Sequence, residues 1–112
     1  DFESTDWNSI LSLYDKLITM EPSPVVLLNR AIVVSQVHGA LHGLEELEKI
    51  NDSQALASYH LFHSTQAELY IQINDVDKAS ECLKKAIQLS PLQAEKDLLI
   101  KKLDLCMKNS SG

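Results

Sequence analysis

The stretch DVDKASECLKKAIQLSP, residues 75–91, decides the fold. Ala79, Leu83 and Ala86 recur at steps of four and three, which lines them along one face of an α-helix. Asp75 stands where an N-terminal capping acceptor belongs, and Pro91 follows where a helix has to stop. The same order of residue kinds occurs earlier in the chain. Asp6, Ile10, Tyr14, Leu17 and Pro22 each precede their counterpart by 69 residues. Between the two sets, Gly43, Leu47 and Ile50 repeat the first three steps, 33 residues after the first set and 36 before the last. Three units of about 34 residues follow, a period that marks helical repeats.

Upstream of each later set lies a second helical pattern. One runs over 25–37 and the other over about 55–73, where Leu56, Tyr59, Phe62, His63, Ala67 and Tyr70 keep three- and four-residue steps. Capping signals divide the chain accordingly. Asp6, Ser23 before Pro24, Asp75, and Ser90 before Pro91 with Gln93 at the capping-box position predict helix starts; Gly39 and Asn74-Asp75 predict turns. The expectation is a single all-α domain over 1–112, with helices near 6–20, 24–38, 41–51, 54–73, 76–89 and 91–108. Two antiparallel helices per unit make this a tetratricopeptide-like α-α superhelix of six helices. His63, Gln66, Ala67 and Tyr70 fall on the first block of the tetratricopeptide pattern and Ala79 and Leu83 on the second, with His63 in place of tryptophan and Gln66 in place of leucine. The last helix, with Leu92, Leu99, Leu103 and Cys106 on one side, reads as a solvating cap.

Composition narrows function by exclusion. Hydrophobic residues make up 45% of the 112-residue chain and charged ones 23%, ordinary values for one globular domain, and 3 glycines with 3 prolines leave little material for turns. Ten basic residues against sixteen acidic ones give a formal charge of −6, which repels nucleic-acid phosphates and anionic lipid. Direct nucleic-acid contact by this chain is therefore not expected, and no apolar run is long enough to span a bilayer, so a cytoplasmic setting is expected. With no initiator methionine and polar ends DFEST and NSSG, the chain is expected to be a piece of a longer polypeptide. Cys82 and Cys106, without a CxxC partner, read as small core residues.

No catalytic, cofactor or metal motif appears. There is no GxSxG and no phosphate-binding glycine loop, and Glu45-Glu46 and Asp75/Asp77 read as solvated surface and caps. His38 and His42 have the four-residue spacing of a zinc helix, but Gly39 interrupts it, so packing or hydrogen bonding is the expected role of all four histidines. Asn29 and Arg30 lie among apolar residues of PSPVVLLNRAIVVSQVHG, residues 22–39. Two readings stand for them. In one, Asn29 bonds a loop carbonyl and Arg30 forks onto Asp15 or Glu21, fastening the helices. In the other, both face a concave groove and hold a partner's carboxylate or backbone. Tyr59, His60 and His63 cluster on the predicted fourth helix, and Trp7 and Tyr14 form a face on the first that an upstream helix would cover.

Taken together, TDWNSILSLYDKLITMEPSPVVLLNRAIVVSQVHG, then GLEELEKI, then SYHLFHSTQAELY, resembles the C-terminal extension of one group of bacterial RNA polymerase sigma factors of the extracytoplasmic-function class. The resemblance covers about residues 5 to 105, carried by Asp6-Trp7, Leu13-Tyr14-Asp15, Pro22-Ser23-Pro24-Val25-Val26, Leu28-Asn29-Arg30-Ala31, His38-Gly39 and Tyr59-His60. It implies a non-enzymatic regulatory module in transcription initiation. Its partners would be protein: the sigma core regions, RNA polymerase or a regulator, with promoter DNA read by regions that lie upstream. Trp7, Tyr14, Asn29, Arg30, Tyr59, His60 and His63 are the candidate interaction residues. A general peptide-binding tetratricopeptide adaptor, unconnected with transcription, is the alternative.

Overall fold

In the computed structural model, residues 6–111 are described; residues 1–5 and 112, the outermost parts of the polar ends, lie outside the described residues. The described chain is helical throughout, in the order α1 (Trp7–Met20), α2 (Pro24–His38), α3 (Ala40–Lys49), α4 (Gln54–Ala57), α5 (His60–Gln72), α6 (Val76–Leu89) and α7 (Gln93–Ser111). No strand occurs among the described residues.

Local hydrogen bonds set most of the helix starts. The Asp6 carboxylate accepts from the Ser9 backbone N–H at 3.1 Å and from the Ser9 hydroxyl at 2.7 Å, the Ser23 hydroxyl accepts from Val26 N–H at 3.3 Å, and the Asp75 carboxylate from Lys78 N–H at 3.2 Å. Each satisfies an N–H that has no partner inside its helix. Gly39, at φ +100°, lets α2 pass into α3 through one residue, a backbone state that a side chain would strain. Asn74, at φ 64°, turns the chain between α5 and α6.

Two expected helices differ. The run expected over 54–73 breaks at Ser58 and Tyr59, giving seven helices among the described residues where six were read. Tyr59 is extended, at ψ 114°, and the Ala57 carbonyl accepts from His63 Nε2 at 2.8 Å instead of from a backbone N–H one turn on. The Ser58 hydroxyl caps the short α4 by donating to the carbonyls of Gln54 and Ala55. The last helix starts at Gln93, not 91, because the Ser90 hydroxyl donates to the Glu95 carboxylate at 2.8 Å and does not cap a helix through a backbone N–H. Leu92 is exposed there, while Leu99 and Cys106 are buried as their spacing predicted.

Helices pack mainly on their neighbours in sequence: α1 on α2, α2 on α3, α3 on α5, α5 on α6, and α6 on α7. The core divides the same way. Leu28, Ala31, Leu47, Leu56, Phe62 and Leu69 form one cluster between α2 and α5, and Ala67, Ala79, Leu83, Ala86, Leu99 and Cys106 form a second around α6. Helix α5 contributes to both, so its apolar residues surround it and do not form a single stripe. The repeated positions of the sequence supply a third of these twelve residues, Leu47, Ala79, Leu83 and Ala86. Gly43 and Leu47 of the middle set and Ala79, Leu83 and Ala86 of the last are buried, whereas α1, carrying the first set, buries none of its residues.

Candidate functional site

Helices α2, α5 and α7 enclose a groove of about 410 Å³. Its place follows from the chain order. Helix α6 pairs with both α5 and α7, which leaves a face of each turned toward α2. Leu69 and Leu99 are buried at its base, while Leu61 and Leu98 stand at its edge, 44% and 62% exposed. Ser35 and Gln36 of α2 and Ser64, Thr65 and Gln72 of α5 bring uncharged hydrogen-bonding groups to the same surface. An apolar base with separate polar groups above it is the usual make-up of a binding cleft.

Two polar side-chain contacts join α5 to α7 at this groove, one of them an ion pair. His60 Nε2 lies 3.1 Å from Glu95 Oε2, the oxygen that also accepts from the buried Ser90 hydroxyl, and Lys102 Nζ lies 3.4 Å from Glu68 Oε2. The Glu95 carboxylate thereby meets the side chain of the first residue of α5, a helix whose N-cap, Tyr59, makes no side-chain capping bond. The Glu68–Lys102 pair is about half exposed, so it orients side chains more than it stabilises the fold.

The candidate residues separate in space. His60 lines the groove, whereas His63, three residues on, is buried and hydrogen-bonded to Ala57; it is closed to a partner. Tyr59 lies in a second depression with Pro24, Val25 and Leu56. Arg30 is away from both. Its Nε donates to Asp15 at 2.7 Å and its Nη1 to Glu46 at 3.2 Å, which ties α2 to α1 and α3. Arg30 fastens helices through Asp15, one of the two carboxylates expected, but by a single contact and not a fork, and its second partner is Glu46. Both carboxylates raise the Arg30 pKa, the Asp15 hydrogen bond first, against partial burial that lowers it. Asn29 is half-buried, and among the described residues no hydrogen bond joins its side chain to a loop carbonyl. Trp7 and Tyr14 are half-buried on α1, outside the groove.

Sequence reasoning missed Glu68, Glu95, Leu98 and Lys102. The one signal available for α7 was Leu98, which lies off the apolar face of Leu92, Leu99, Leu103 and Cys106. The histidine roles also divide: His38 and His42 are exposed, with ring centroids 5.8 Å apart, instead of packed in the core. On another surface, Tyr70 lies beside Glu48 and Asp75 with Lys78 Nζ 5.7 Å from its ring centroid, and burial pushes its phenol pKa up, aided by nearby negative charge. Among the described residues no three His, Cys, Asp or Glu side chains are placed to hold a metal ion, and no helix is long and apolar enough to cross a membrane.

Fold and groove define an all-helical domain with a cleft between helices. No family model matches the chain. It is similar to an uncharacterized protein of Rhizobium meliloti (strain 1021), 33% identical over 102 residues, an alignment covering 91% of this chain. The matched part is 24% of that protein, so the chain spans about a quarter of the length of this relative.

Proposed function

We propose that this chain is a tetratricopeptide-like interaction module acting as the C-terminal regulatory extension of a bacterial extracytoplasmic-function sigma factor. It docks a protein segment in the α2/α5/α7 groove and thereby biases the sigma factor between competent and incompetent states. The observation that carries the docking reading is the groove itself, with its buried leucine base, exposed Leu61 and Leu98, and uncharged polar groups on two walls. Three further points support it. The helices follow one another as stacked neighbours, the arrangement in which helical repeats present a continuous binding face. The chain's relative is about four times as long as the matched stretch, as expected for a module within a larger protein. The transcription assignment rests on the resemblance carried by Asp6-Trp7, Leu28-Asn29-Arg30-Ala31 and Tyr59-His60.

The test is capture from a lysate of the source bacterium with the immobilised chain, read by mass spectrometry, beside Leu98→Asp, Tyr59→Ala and Arg30→Ala variants shown to be folded by circular dichroism. Recovery of RNA polymerase subunits or a sigma core, lost with Leu98→Asp, is the expected result. Recovery of chaperones or unrelated peptides in their place would assign the chain to the general adaptors. Binding that no groove substitution changes would remove the groove from the mechanism and return attention to the Trp7/Tyr14 face of α1.

A further inference from the structure

Resting on the docking reading, we propose that the α2/α5/α7 groove takes a cationic amphipathic segment of a protein partner, with an apolar stripe flanked by lysine or arginine. The sign of the charge comes from the geometry. Arg30, the cation that could have received a partner's carboxylate, is spent on Asp15 and Glu46 away from the groove. Within the groove the carboxylates Glu68 and Glu95 face a single ammonium, Lys102, because His60 carries charge only when protonated. Glu95 is held in place by the Ser90 hydroxyl whether or not His60 is charged, and so stays directed by the fold.

The two carboxylates sit on opposite walls, Glu68 on α5 and Glu95 on α7, with Leu61, Leu98 and Leu99 beside them. An amphipathic segment meets this arrangement with its apolar stripe on the leucines and its cations on the two glutamates. An acidic segment would meet two like charges and gain only Lys102. The overall charge of −6 acts in the same sense at long range, drawing cationic segments toward the chain. Lys102 is then a competitor: it occupies the Glu68 oxygens that a partner's cation would use.

The test uses three fluorescein-labelled helix-forming peptides that share one leucine stripe and carry lysine, glutamate or glutamine at the remaining positions, with binding read by anisotropy. The lysine peptide is expected to bind at least tenfold more tightly than the glutamate peptide, with affinity falling as salt rises. Glu68→Gln with Glu95→Gln is expected to weaken it about fivefold, and Leu98→Asp about tenfold. Lys102→Gln is expected to tighten it roughly 2- to 3-fold, which loss of a merely structural ion pair would not do. Glu45→Gln with Glu48→Gln, outside the groove, serves as the charge-matched control. Equal binding of the three peptides, no binding of any, or a control effect as large as that of Glu68→Gln with Glu95→Gln would overturn the cationic assignment. If the glutamine or glutamate peptide binds as tightly as the lysine peptide or more tightly, and Leu98→Asp abolishes that binding, docking in the groove stands and only the partner's charge is wrong. If Leu98→Asp changes neither peptide binding nor capture of the partner, the docking reading falls as well.

Discussion

Replacing Gly43 by alanine tests how closely α2 and α3 must approach to build both the core and the groove. A Cβ at position 43 would lie 2.6 Å from Ser35 Cβ, 3.0 Å from Leu69 Cδ1 and 3.3 Å from Ser35 Cα. Leu69 can turn its methyl aside, but Ser35 Cβ cannot move without α2, so the helices have to separate by about 1 Å to reach ordinary contact distance. Overpacking of that kind costs roughly 2–3 kcal/mol, while alanine in place of glycine in a helix returns about 1 kcal/mol. A net loss of about 1–2 kcal/mol follows, or about 4–10 °C in Tm for a domain of this size. Ser35 and Leu69 both line the groove, so the substitution is also expected to weaken binding there. The assay is urea unfolding followed by circular dichroism on Gly43→Ala, Ser35→Gly and the double variant. With Ser35 reduced to glycine the Cβ contact is gone, leaving its Cα at 3.3 Å and the movable Leu69 methyl at 3.0 Å, and Gly43→Ala becomes neutral or stabilising, a coupling of about 1–2 kcal/mol. An equal effect of Gly43→Ala in both backgrounds, or stabilisation of the parent chain, would refute the close-approach argument.

Other perturbations test separate parts of the structure. Arg30→Gln removes the tie from α2 to Asp15 and Glu46; with Asp15 half exposed the loss is about 1 kcal/mol, and hydrogen exchange should quicken in α1 while α5 and α6 stay protected. Asp6→Asn keeps a capping oxygen but removes its titration. The Ser9 hydroxyl and backbone N–H hold the Asp6 pKa below its ordinary value, so its contribution is present above the unfolded pKa and is lost as pH falls through the folded one. Acid fraying of α1, followed by NMR, should therefore depend on pH in the parent more than in the variant. Burial pushes the Cys82 and Cys106 thiols up, so the stability they contribute is complete below the ordinary thiol pKa and lost as pH rises through the folded values. At mildly alkaline pH, Cys106 is expected to react with a thiol reagent only as the chain unfolds, with a rate that rises with urea; immediate reaction in buffer would contradict its burial.

The helix starts at Trp7, Pro24 and Val76 were legible in the sequence because their causes are local: a carboxylate or hydroxyl three residues from the N–H it receives. The buried face of α6 was legible for the same kind of reason, since Ala79, Leu83 and Ala86 share a face at any helical pitch. The break at Ser58 and Tyr59 was not, because three- and four-residue spacing continues through it. Only when His63 packs into the core is its ring set to take the Ala57 carbonyl. For Arg30 the chain offered several carboxylates within reach, and the α1–α2–α3 packing selected Asp15 and Glu46. The groove was least legible of all. His60 and Glu95 are separated by 35 residues, and Glu68 and Lys102 by 34, and nothing in either neighbourhood marks the other as its partner. Helical periodicity and caps state what each segment does with its own backbone, whereas which surfaces remain after α6 has paired with α5 and α7 depends on side-chain volumes summed over the whole stack.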